Sequence, residues 1–164
     1  MSAPTQQEYR RKALWESMLD AEMNVCFWDL LSARYSKWDT SLKIIIAVAA
    51  SGTVAGWSIW SQYPGGWKVF SAIACLAALM HPYFCSSDVL KRISGLVGTW
   101  KEVFIEYELL WYDDNGFTAE RTWTQFGRIK HREAAIDETR LPKSPKLVRK
   151  AFRHVLEKRG LTNG

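Results

Sequence analysis

The stretch that decides the fold begins Ile44-Ile45-Ile46-Ala47-Val48-Ala49-Ala50, is closed by Tyr63-Pro64-Gly65-Gly66, and resumes as Val69-Phe70-Ser71-Ala72-Ile73-Ala74-Cys75-Leu76-Ala77-Ala78-Leu79-Met80. No charged residue lies between Ile44 and Trp67, and after Lys68 none follows until Asp88. A bilayer core about 30 Å thick takes about 20 apolar residues at about 1.5 Å each, and both runs are near that length. Pro-Gly-Gly is the turn chemistry of a tight reversal. The expectation is an all-α integral membrane protein with a two-helix transmembrane hairpin at 42–87, its spans at about 43–62 and 68–85, and a cytoplasmic helical bundle.

A soluble bundle competes with that reading. The runs are rich in Ala, Ser and Gly, and a helix apolar all round is buried in either protein or lipid. Two patterns favour lipid. Trp57, Trp60, Tyr63 and Trp67 cluster at the hairpin tip, with Tyr35, Trp38, Tyr83 and Phe84 at the far ends, as interfacial aromatic belts do. The connection carries one basic residue, Lys68, against six before Ile44 and fifteen after Ser87. The positive-inside rule then puts both termini in the cytoplasm. Met1 to Lys43 is polar and charged, so no cleavable leader is expected. Three cysteines (Cys26, Cys75, Cys85) without CxxC spacing argue against a disulfide framework or a metal site.

Working outward, residues 1–41 read as a cytoplasmic amphipathic helix. Its seam is Leu14, Met18, Ala21, Val25, Trp28 and Tyr35, and Arg10, Arg11, Glu16 and Asp20 lie on the solvated side. Within the first span, Gly52 and Gly56 form a GxxxG pair, and Ser51 and Thr53 sit beside them. Small residues let backbones approach in lipid, which offers no hydrophobic drive for association. Ser51, Gly52, Thr53 and Gly56 are therefore the expected pore-lining and oligomer-packing set. Their competing role is packing against the second span of the same chain. His81-Pro82 marks a kink or end of the second helix, and an ionisable group in a span is a functional candidate. These two are the expected hinge or gate. A neutral His bonding a nearby carbonyl is an equally weighted alternative.

Residues 88–112 read as a long cytoplasmic helix. Leu90, Ile93, Val97, Trp100, Phe104, Tyr107 and Trp111 alternate gaps of three and four, an a/d seam flanked by Glu102, Glu106 and Glu108. Residues 113–164 form a basic helical region. One helix is expected over 118–140, with Trp123, Phe126, Ile129 and Ile136 as its apolar set. A second begins at Ser144-Pro145 and ends at Gly160.

Such a basic region can lie on anionic lipid, merely enforce topology, or hold an anionic ligand. In the last case Arg121, Arg128, Lys130 and Arg132 would meet phosphates and Trp123 would stack a base. No phosphate-cradling glycine loop, zinc spacing or nucleophile elbow is present, so neither an enzyme nor a cofactor is expected.

The layout resembles the SLATT proteins: a charged helix over Glu8 to Asp39, two small-residue-rich spans, and a long helix running to Leu109-Leu110-Trp111. The resemblance covers roughly residues 8–112 and is one of architecture. It implies a bacterial inner-membrane effector of anti-phage defence, acting beside a nucleotidyltransferase. Such an effector is a homo-oligomer, with a tetramer as the expected state. It forms a pore that opens on a nucleotide or oligonucleotide second messenger and depolarises the membrane. The alternative is a non-channel membrane adaptor or anchor whose basic tail binds lipid or a partner. A soluble helical interaction protein is the reading from a third class.

Overall fold

A computed structural model describes residues 6–55, 64–84, 87–113, 119–138, 141 and 144–161. Among them are five helices and no strand: α1 (Gln6–Ala55), α2 (Pro64–Phe84), α3 (Ser87–Tyr112), α4 (Ala119–Ala134) and α5 (Pro145–Lys158). The expected all-α class is observed. The chain divides into two compact units, Met1–Leu31 with Ile93–Gly164, and Ser32–Arg92.

The first unit is a bundle of the N-terminal part of α1, most of α3, and all of α4 and α5. Leu14, Met18, Ala21 and Trp28 of the expected α1 seam are buried, joined by Phe27 and Leu31. In α3, Ile93, Val97, Trp100 and Tyr107 are buried as the heptad spacing requires. Phe104 and Trp111 are only half-buried, and Val103 and Leu110 are buried in their place. The reason is the number of neighbours. Tyr107 meets Phe126 of α4, Trp111 meets Trp15 of α1, and the Arg159 guanidinium after α5 lies over Phe104. A helix with three partners needs the wider apolar face of a globular bundle rather than a two-stranded seam.

Helix α4 ends at Ala134 instead of running to 140, so Ile136 lies outside it. Turn bonds from Ala135 N–H to the Arg132 carbonyl and from Ile136 N–H to the Glu133 carbonyl take over there. The departing chain brings the Glu138 carboxylate to the Trp100 indole N–H, 3.0 Å away. Pro145 opens α5 at the first helical position, where its missing N–H costs nothing. Ser144 precedes it in extended conformation, but its side chain makes no cap bond. The end of α5 is a Schellman closure. Gly160, at φ +67°, donates to the Glu157 carbonyl, and Leu161 donates to that of Leu156. The helix thus stops at Lys158, two residues short of the expected end at Gly160.

The second unit holds the rest of α1, α2 and the first residues of α3. With neither Pro nor Gly between Gln6 and Ser51, α1 continues unbroken to Ala55. Pro64 is the first residue of α2, so Pro64-Gly65-Gly66 is helical rather than the expected reversal. Pro at a first helical position explains this. The connection itself, with Gly56, Trp57, Trp60 and Tyr63, lies outside the described residues.

Among the described residues, no helix is long and apolar enough to cross a membrane. That falls short of the two expected spans. In α1 the apolar run begins only after Asp39 and Lys43, which pair at 2.7 Å. In α2 the apolar residues are diluted by Gly65, Gly66, Lys68, Ser71 and many alanines, and by His81-Pro82 near the end.

The packing of α2 is inverted relative to a water-facing helix. Among its described side chains Ala74 and Ala77 are the buried ones, while Val69, Ile73, Leu76 and Leu79 are more than half exposed and Met80 nearly so. Ile44 and Val48 of α1 are likewise exposed.

Candidate functional site

The cations of α4 were the expected ligand site, and the structure gives each a different setting. Arg121 is exposed near the start of the helix. Arg132 bridges to Glu106 and, at 3.6 Å, to Glu102 of α3. Lys130 pairs with Glu133 at 3.0 Å, and its ammonium lies 5.9 Å from the centre of the Tyr107 ring. Arg128 lines a groove of about 400 Å³ that it shares with Arg132, Glu106, Asp113, Leu109 and Gln125. Two cations and two carboxylates face the same space, so it offers no net positive well to a phosphate.

Trp123 is not a free stacking platform. Its ring stacks on Phe126 at 4.8 Å and 19°, and the Arg10 guanidinium covers it at 5.3 Å. Helical spacing puts Arg121, Arg128 and Arg132 on one side of α4, while Trp123 and Lys130 lie on another. The five residues therefore do not converge on one site.

Of the expected pore-packing set, Ser51, Gly52 and Thr53 lie in the final turns of α1, and Gly56 lies outside the described residues. His81 and Pro82 are in the last turn of α2, which continues through the proline to Phe84.

The most elaborate polar arrangement joins α1 to the end of α5, and local periodicity does not reveal it. Glu22 belongs to the N-terminal helix but is only 5% exposed. Lys158 Nζ lies 2.6 Å from its Oε1 and Arg159 Nε 2.8 Å from its Oε2. The Arg159 guanidinium also lies over Trp15 at 5.7 Å and reaches Glu108 at 3.9 Å. Trp15 meets Trp111 at 5.0 Å, and the Arg11 guanidinium lies over Trp111 at 5.1 Å. The Trp pair, with Arg11, Lys12 and Glu8, lines a shallow groove of about 390 Å³.

A second polar arrangement joins α3 to α4. The buried Tyr107 hydroxyl donates to Glu133 at 2.8 Å. Burial first, and then that hydrogen bond, hold its phenol well above the ordinary tyrosine range. Asp20 is raised above its ordinary value by burial, with Lys130 opposing and Glu133 and Glu16 adding to the rise. The Cys26 thiol is also pushed up, by burial first and then by Asp29 and Glu22, which makes it a poor nucleophile. Trp28 is fully buried, and its indole N–H has no hydrogen-bond partner among the described residues.

The arrangement is one of load-sharing ion pairs between helices rather than of groups converging on a reacting atom. Among the described residues, no three His, Cys, Asp or Glu side chains gather as a metal site. Neither protein-family models, nor curated proteins, nor solved structures match this chain.

Proposed function

We propose that the second unit works in contact with lipid as a self-associating α1–α2 pair, and that the chain is an oligomeric membrane effector. The observation that carries this is the inverted packing of α2: Ala74 and Ala77 inward, and Val69, Ile73, Leu76, Leu79 and Met80 outward. Full burial of one such side chain is worth about 1.5–3 kcal/mol. Five left largely open forgo several kcal/mol, which lipid or neighbouring copies would recover. With 21 residues, α2 is about 32 Å long, close to the thickness of a bilayer core. Its composition is too mixed for a lone span, so insertion requires small-residue faces packed on one another. Ser51, Gly52, Thr53 and Gly56 would supply such a face, and His81-Pro82 the hinge.

In this reading the bundle biases a closed assembly towards an open one that passes ions across the bacterial inner membrane. A ligand would drive the opening only by binding the open state better. An anionic second messenger of the nucleotide class would have to compete with Glu102, Glu106 and Glu133 for Arg132 and Lys130. That competition favours a second reading, a non-channel membrane adaptor whose bundle presents a surface to a partner. Alkaline carbonate washing of membranes followed by liposome ion flux tests both. Retention in the pellet with flux supports the pore, and retention without flux supports the adaptor. Release by carbonate refutes both.

A further inference from the structure

The bundle uses its basic residues unequally. In α4, Arg132 is bridged to Glu106 and Glu102, and Lys130 to Glu133. At the end of α5, Lys158 and Arg159 are held by Glu22. The rest of α5 differs. Lys146, Arg149, Lys150 and Arg153 are exposed, and none of them forms an ion pair among the described residues. Gaps of three, one and three put these four on one side of the helix, opposite the buried Ala151 and Val155. Glu157 is the one acid in the helix. Like charges at such spacings destabilise a helix by repulsion, a cost that an anionic surface turns into attraction. Phe152 and Leu156, four residues apart, run along one edge of the cationic row. Phe152 is 53% exposed and Leu156 partly so.

We propose that the outer face of α5 lies along an anionic lipid surface. Lys146, Arg149, Lys150 and Arg153 then sit level with the lipid phosphates, and the edge of Phe152 and Leu156 dips towards the acyl chains. Charge complementarity calls for an anionic occupant, and the apolar edge selects among anions. A lipid surface offers phosphates and, about 5–10 Å below them, an apolar layer, which is where amphipathic helices rich in Lys and Arg place Phe and Leu. A single strand of nucleic acid offers phosphates and a base for Phe152 to stack on, but nothing for Leu156. It also calls for a groove that tracks its backbone, whereas one exposed helix face is a ridge. The inference concerns α5 alone and does not rest on the second unit entering lipid.

The test places a fluorescent amino acid at position 152 of the full-length protein, reconstituted with vesicles whose brominated acyl chains quench on contact. The vesicles are phosphatidylcholine alone or phosphatidylcholine mixed with phosphatidylglycerol. Quenching is expected in the mixed vesicles and not in the neutral ones, and it should vanish in about 1 M salt, where charges are screened beyond about 3 Å. Arg149→Ala with Arg153→Ala removes two exposed, unpaired cations and leaves the bundle folded. It should lower the ratio of docked to undocked α5 about thirtyfold, at about fivefold per cation. The same label at position 121 in α4 should stay unquenched. Quenching that ignores phosphatidylglycerol, survives the salt or survives the loss of both arginines would overturn the proposal, as would equal quenching at position 121. A single-stranded oligonucleotide that shifts the label in detergent, while mixed vesicles leave it unquenched, would overturn it in favour of nucleic acid. Protein that resists carbonate washing but keeps an unquenched label would also overturn it and leave the membrane reading of the second unit standing.

Discussion

The contact of Glu22 with Lys158 and Arg159 predicts an asymmetry between its two sides. The carboxylate side chain is 7% exposed, the Arg159 side chain 19% and the Lys158 side chain 60%. Removing the acid therefore frees one cation to return to water, while Arg159 keeps its approach to Glu108 and its place over Trp15. Glu22→Gln should cost about 1–2 kcal/mol, the loss of charge-assisted hydrogen bonds with Lys158 returned to water and Arg159 still beside Glu108. Removing both cations, as Lys158→Ala with Arg159→Ala, strands a buried carboxylate and should cost about 3–5 kcal/mol. Adding Glu22→Gln to that pair should then recover stability, because a neutral amide is cheaper to bury than a lone charge. The assay is denaturant unfolding of the full-length chain, with hydrogen exchange across α5 reporting where the loss falls. If the double cation variant proves no less stable than Glu22→Gln, or the triple variant no better than the double, the buried-charge reasoning fails.

Two further outcomes follow from single residues. The Asp20 carboxyl is raised above 3.8, chiefly by burial, so its contribution to stability is complete below that value and is lost as pH rises through the raised one. Asp20→Asn should therefore gain on the parent chain as pH rises through that window, modestly because the carboxyl is only partly covered and water screens it; unfolding curves taken across it should diverge. Gly160→Ala meets no atom within 4 Å but must hold φ +67°, so it should cost about 1–2 kcal/mol by conformation alone. Faster hydrogen exchange confined to the last turn of α5 would show this, and exchange unchanged from the parent would contradict it.

The parts of the fold set by local pattern were legible from sequence. Leu14, Met18, Ala21, Ile93, Val97, Trp100 and Tyr107 recur at helical spacing because each helix must turn one side inward, and each is buried. What was not legible depends on contacts distant along the chain. Glu22 reads as one more charge on a solvated helix, and only the arrival of Lys158 and Arg159 makes its burial affordable. Trp123 reads as a stacking platform beside arginines, yet Arg10, far away in sequence, is the cation that covers it. Phe152 belongs to the apolar stripe of α5 by spacing but stays 53% exposed, while Ala151 and Val155 make the inner contact. Pro64-Gly65-Gly66 misled in another way, since proline is as well suited to a first helical turn as to a reversal.

The division of the chain into units has a consequence for its synthesis. Residues up to Leu31 belong to the bundle, but their partners begin only at Ile93, and Ser32–Arg92 are made in between. The ion pairs to Glu22 wait for Lys158 and Arg159. At about 5–20 residues per second, the ribosome needs on the order of ten seconds to pass from Leu31 to Arg159. For more than the first half of that interval the bundle that buries Met18, Phe27 and Trp28 lacks a finished α3, and until its very end it lacks α5. A nascent chain in that state is a client for a chaperone, and the time it spends there governs how much of it reaches the native bundle.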